Sequence, residues 1–128
     1  MYQAYLLLQP STDFTLEAAQ TKLAAKFPKH IAARAGEEVT FSGDDWDFYV
    51  RLNAGPEVLA DSESFAEQIA GDGVEEGKLI AAIDRRVEMG SDTPDPEMEH
   101  FEDYLTLLET LRTFRGIIAI DPSEPSLL

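Results

Sequence analysis

Tyr2-Gln3-Ala4-Tyr5-Leu6-Leu7-Leu8-Gln9 opens the chain with apolar side chains that run together instead of alternating. A strand with one wet face alternates apolar and polar residues, so an unbroken run of this length predicts a strand covered on both faces. Pro10-Ser11 ends it. The segment has neither the basic start nor the small-residue cleavage site of a secretory leader, and is therefore read as mature structure.

Downstream of this strand, Thr15 has the chemistry of an N-cap, and Leu16, Ala19, Leu23 and Phe27 recur at helical spacing until Pro28. Ile31 to Ser42 reads as one strand, firmer over Val39-Thr40-Phe41, and Gly43-Asp44-Asp45 supplies turn residues. Trp46, Phe48, Val50 and Leu52 then alternate with Asp47, Tyr49 and Arg51, which predicts a hairpin strand with one apolar and one wet face.

Asn53-Ala54-Gly55-Pro56 breaks the pattern, and Asp61 or Ser62 is expected to cap a short helix that turns Phe65 and Ile69 inward. Gly71, Gly73 and Gly77 punctuate an acidic loop. Lys78 to Met89 fits two patterns, a helix through Leu79, Ile83 and Val87 and a strand in which Ile83, Val87 and Met89 alternate with Asp84, Arg86 and Glu88; a helix from near Glu76 is favoured, with 84–90 open between helix and strand. Asp95-Pro96 has the signature of a helix start, Phe101, Tyr104, Leu105, Leu108 and Leu111 form an apolar stripe, and Gly116 terminates the helix. Ile117 to Ile120 reads as a buried strand, and Asp121-Pro122 onward as a tail.

Apart from the element near 76–90, this order matches the split β-α-β of ferredoxin-like domains. The expected fold is thus an α+β sandwich, an antiparallel sheet with helices packed on one face and an extra helical or strand element near 76–90. At 128 residues, 44% of them hydrophobic, the chain has the size of one domain, taken as residues 1–128.

The formal charge of -15 is unevenly placed. Residues 1–40 hold four basic and four acidic side chains, residues 41–75 one and nine, and residues 76–128 five and twelve. A field of this sign repels phosphate backbones and anionic lipid and attracts basic proteins. Direct nucleic-acid binding and membrane association are therefore not expected. The lack of cysteine excludes disulfides, thiolate nucleophiles and Cys-based metal sites, and points to the cytoplasm.

Four groups of residues have chemistry beyond packing. Asp92, Asp95, Glu99 and His100 bring oxygens and an imidazole to a loop-to-helix junction where hard cations find ligands, although helix-start capping explains the same residues and the alternating acids of an EF-hand are absent. His100 lies among acids but has no second histidine at zinc-motif spacing. Arg85-Arg86 is the one adjacent basic pair, suited to clamp an anion or to neutralise a neighbouring acid. Asp44, Asp45 and Asp47 surround Trp46 as a candidate docking rim, with the ring itself placed in the core by alternation.

No phosphate loop, nucleophile elbow or basic-aromatic stripe is present in the sequence, so no cofactor and no metal is implied. The sequence predicts a non-catalytic protein-interaction module, an acidic inhibitor or immunity-type protein that binds a basic partner protein. The alternative is a small enzyme or a metal- or anion-dependent ligand-binding domain, with a pocket formed by Arg85, Arg86, Asp95, Glu99 and His100.

Overall fold

The computed structural model of the protein describes residues 2–70 and 75–128. Gly71 and Gly73 lie outside them. In chain order the elements are β1 (Tyr2–Leu8), α1 (Leu16–Lys26), β2 (Ile31–Ala35), β3 (Glu38–Ser42), β4 (Phe48–Ala54), α2 (Pro56–Ala70), α3 (Glu75–Ala81), β5 (Arg85–Ser91), α4 (Phe101–Leu111), β6 (Ile117–Asp121) and β7 (Ser126–Leu127). The seven strands form one open sheet in the order β2-β3-β4-β5-β1-β6-β7, and every described ladder is antiparallel. Among the described residues no helix is long and apolar enough to cross a membrane.

β1 sits deep in the sheet between β5 and β6. Its side chains divide between two cores. Ala4, Leu6 and Leu8 join the residues of α1 and α4 in one cluster, whereas Leu7, with Tyr5 beside it, packs with Phe65 of α2, Ile80 of α3 and Ile120 of β6 on the other face. Leu6, Leu7 and Leu8 are all buried, each contributing about 1.5–3 kcal/mol relative to an exposed side chain. A strand that is apolar on both sides demands cover on both sides, and α1 with α4 on one face and α2 with α3 on the other supply it.

The ferredoxin-like arrangement is therefore corrected in two respects. Its helices share one face, but here they divide between two. Its split β-α-β also sets the first strand beside a parallel neighbour, whereas β1 is flanked by two antiparallel strands. The cause is a turn inside what reads as a single strand: Gly36, at φ 61, closes a two-residue hairpin with Glu37, so that Ala35 pairs with Glu38. This added reversal leaves β4 running in the same direction as β1 and antiparallel to β5.

Helix boundaries also moved. Thr15 caps α1, its hydroxyl accepting the Ala18 N–H at 3.1 Å. α2 begins at Pro56, so the proline that looked like a breaker fills the first helical position, and Ser62 is a buried residue inside the helix. The helix from Glu75 agrees with expectation, and the stretch 84–90, open between helix and strand, is strand from Arg85; the tail does not agree, because Ser126–Leu127 returns to pair with β6.

Candidate functional site

The β3–β4 loop begins where Ser42 leaves the sheet and is held by short contacts. The Asp47 carboxylate accepts the Gly43 N–H at 3.0 Å, and the His30 ring binds the Trp46 carbonyl through Nε2 at 2.9 Å. Gly43 is required for that approach, since a Cβ there would meet His30 Nε2 at 2.6 Å. Trp46 precedes β4 in the loop, yet it is 2% exposed, as the alternation predicts. Its ring lies 5.3 Å from Phe48 and 6.3 Å edge-on from Tyr2, centroid to centroid.

The loop after β5 is fastened to the loop before β4. Ser91 Oγ donates to the Asp47 carbonyl at 2.5 Å, and Thr93 Oγ1 accepts the Asp47 N–H at 3.1 Å. Further on, His100 stacks on Trp46 with 7° between the ring planes and 5.6 Å between centroids. Two acidic segments 46 residues apart at the Asp47–Thr93 contact thus form one surface at one end of the sheet. Asp44, Asp45 and Asp47 are exposed there together with Asp92, Glu97 and Glu99. Asp45, Asp95, Glu97, Glu99 and His100 line a shallow cleft of about 310 Å³.

Asp95 organises the segment, although not as the first cap of α4. Its carboxylate accepts the Tyr2 hydroxyl at 2.5 Å and the backbone N–H groups of Glu99 at 3.0 Å and His100 at 2.9 Å. The Tyr2 bond, aided by those N–H donors, holds this carboxyl below the usual range, and the same bond pushes the Tyr2 phenol up to about 12. The helix begins only at Phe101, because Met98 takes a left-handed conformation at φ 57 and breaks the helical path. That conformation costs a non-glycine residue about 1–2 kcal/mol. It leaves the Met98 side chain 58% exposed, and Phe101, placed by periodicity in the core stripe, is 38% exposed. Sequence reasoning missed both: no local pattern marks the left-handed backbone at Met98, and Phe101 continues the stripe of Tyr104 and Leu108 but stands at the first position of α4, its ring 6.1 Å from that of Tyr2.

Comparison with family models, curated proteins and solved structures finds no match to this chain.

The pocket expected from Arg85, Arg86, Asp95, Glu99 and His100 is corrected. Asp95, Glu99 and His100 do meet, but Arg85 and Arg86 lie at the far end of β5. Arg86 and Ser91 are five residues apart on that strand, about 17 Å at the rise of an extended chain. Arg85 is exposed, and Arg86 is occupied by Asp61 and Glu88. Among the described residues no three His, Asp or Glu side chains converge as ligands for a metal ion.

His100 Nδ1–H donates to Asp103 Oδ2 at 2.9 Å, and that carboxylate, followed by Asp95 and Asp45, outweighs the opposing effect of burial and raises the imidazole above its ordinary value of 6.5. A raised folded-state value means that the charged imidazole stabilises the fold below about pH 6.5 and that this contribution is lost as pH rises through the raised value. Asp95 acts in the opposite sense: its contribution is present above the ordinary carboxylate range and is lost in stronger acid. Chemical denaturation across pH 4–9 is expected to show stability declining from mildly acidic to alkaline pH, and Asp103→Asn is expected to flatten that decline. An unchanged slope in Asp103→Asn would separate His100 from the effect.

Proposed function

We propose that the protein is a non-catalytic interaction module, of the inhibitor or immunity type, whose acidic end binds a basic partner protein. The observation that supports this most is the joining of the two acidic loops at Asp47–Thr93, with exposed Met98 in the second of them and Phe101 at the start of the helix that follows. Binding energy at interfaces concentrates in a few central apolar or aromatic anchors, while surrounding charge sets the partner's sign and the association rate. Methionine suits such a role because its flexible, polarisable side chain adapts to an irregular socket. The partner is thus expected to carry Lys and Arg around an apolar depression. Trp46 and Phe48 form the rigid floor beneath the loops, and the contacts of Asp47 with Ser91 and Thr93 fix their relative position.

The reading extends to one acidic domain over residues 1–128 that works in the cytoplasm, as the lack of cysteine suggests. Affinity capture from the source cell, repeated at rising ionic strength, tests the docking. Met98→Gly removes the anchor and relieves the left-handed backbone, so it is expected to fold at least as well while weakening capture about 30-fold or more, the measure of an interface hot spot. Asp44→Asn with Asp45→Asn is expected to slow association and flatten its salt dependence. Capture that is indifferent to salt and to Met98→Gly would refute the proposal.

A further inference from the structure

The two edges of the sheet are built differently. β7 spans Ser126–Leu127, a two-residue edge too short to template another strand. β2, Ile31-Ala32-Ala33-Arg34-Ala35, is five residues long, is exposed along most of its length, and has no proline and one charged side chain. Monomeric proteins protect such edges with prolines, bulges or charged side chains; β2 has only Arg34, whose guanidinium is turned to Glu17 at 3.6 Å and to the Gly36 carbonyl at 3.2 Å. The tight turn at Gly36-Glu37 fixes which backbone groups are free. Ala35 pairs with Glu38 across a two-residue loop, so residues 31, 33 and 35 direct their N–H and C=O groups to β3, and Ala32 and Arg34 direct theirs outward.

We propose that β2 is the interface through which two copies of this chain associate, joining their sheets edge to edge in antiparallel register about Ala33. In that register Ala32 of one copy faces Arg34 of the other, so each outward N–H meets an outward C=O. Ile31, 73% exposed, is opposite the partner copy's Ala35, whose small side chain leaves room for it. Charge favours a second copy over the basic partner of the acidic end. Arg34 is the one charged side chain of β2 and is paired with Glu17 at 3.6 Å, so the edge itself offers a basic protein no acidic side chain to grip and puts no net charge against a like copy. Antiparallel pairing also sets the acidic Asp44–Asp47 loop, next to the Ile31 end of β2, beside the partner copy's Gly36 turn and away from its acidic loop. A parallel arrangement would bring the two acidic loops together.

One short edge buries less than the roughly 1,000 Å² of a persistent interface, so the dimer is weak and dependent on concentration. Salt distinguishes it from the docking described above. Screening relieves repulsion between two copies of charge -15 and strengthens the dimer, whereas it weakens attraction between the acidic end and a basic partner.

Sedimentation equilibrium of the full chain, at low and physiological salt, is expected to show a monomer–dimer equilibrium that shifts toward dimer as salt rises. Ala33→Lys and Ala33→Glu each oppose two like charges on the dimer axis and are expected to be monomeric, while their equimolar mixture is expected to regain dimer. Ala33 is exposed on the strand, so neither change burdens the fold, and thermal melts verify this. A wild-type dissociation constant weaker than about 1 mM overturns the proposal. So does dimerisation of Ala33→Lys alone, or failure of the mixture to associate.

Discussion

Replacing Trp46 by alanine is expected to cost about 3–5 kcal/mol, measured by urea denaturation, the range for removing a large aromatic from a packed core. Domains of this size are stable by about 5–15 kcal/mol, so the variant is expected to fold marginally at 25 °C. The ring is buried against Tyr2, Phe48 and His100, and it is the surface on which both acidic loops rest. Its loss is therefore expected to reach beyond stability: without the stack His100 keeps its bonds to Asp103 and Asp95, and the 91–100 segment is joined to the 43–47 loop through Asp47 alone among the described residues. Trp46→Phe keeps an aromatic platform. It also removes an indole N–H that is buried without a hydrogen-bond partner among the described residues, a group that costs about 1–3 kcal/mol when unsatisfied. The Phe variant should consequently lose much less than the Ala variant. A loss below about 1 kcal/mol for Trp46→Ala would mean that the ring is no part of the core.

The elements legible in the sequence were those with strong local patterns. The apolar run at Tyr2–Leu8, the alternation from Trp46 to Leu52 and the helix start near Glu76 all have counterparts in the structure, whereas 84–90 fitted helix and strand alike and is resolved only by β5. The run at β1 already implied two covered faces, in conflict with a sandwich whose helices share one face, and the structure follows β1. What stayed hidden was chemistry with two meanings. Pro56 serves equally as breaker and first helical residue. Ala32, Ala33 and Ala35 have little strand preference, so the reversal at Gly36 did not stand out from the segment before Val39. Asp95-Pro96 does cap a turn, but the left-handed Met98 delays α4 to Phe101.

The candidate site was legible in its parts and not in its assembly. Both acidic loops stand out by composition, yet their meeting depends on β4 and β5 being sheet neighbours, a pairing between strands that are more than thirty residues apart in register, such as Tyr49 with Gly90. The same pairing defeats the Arg85–His100 pocket. Residues close in sequence were carried to opposite ends of one strand, where no local pattern reports their separation.

Arg86→Ala is expected to lose about 3 kcal/mol, the lower end of what breaking a buried ion pair costs. Arg86 is 6% exposed on the sheet face beneath α2; its Nε donates to Glu88 at 2.9 Å, its Nη1 to Asp61 at 2.8 Å, and its guanidinium lies 4.1 Å from the Tyr5 ring centroid. Burial alone disfavours the guanidinium charge, but the Asp61 and Glu88 carboxylates outweigh it and raise the group further above its ordinary value. The fork is used within the fold, joining α2 to β5, which excludes Arg86 from the anion-clamp role its sequence position suggested. Asp61 is half exposed and rehydrates when its partner leaves, whereas Glu88 is largely buried and is left with Asn53 Nδ2 at 3.1 Å and Arg51 Nε at 3.5 Å. The cost of truncation therefore falls mainly on Glu88. Arg86→Met with Glu88→Leu removes both charges while keeping volume, and is expected to be far less destabilising than the sum of its single variants, because each single variant takes away one partner of the buried pair whereas the double variant leaves neither charge behind. Denaturant melts of the four proteins in the cycle measure that coupling. Additive losses would show that the pair contributes packing alone, and that α2 is held to the sheet by its apolar face.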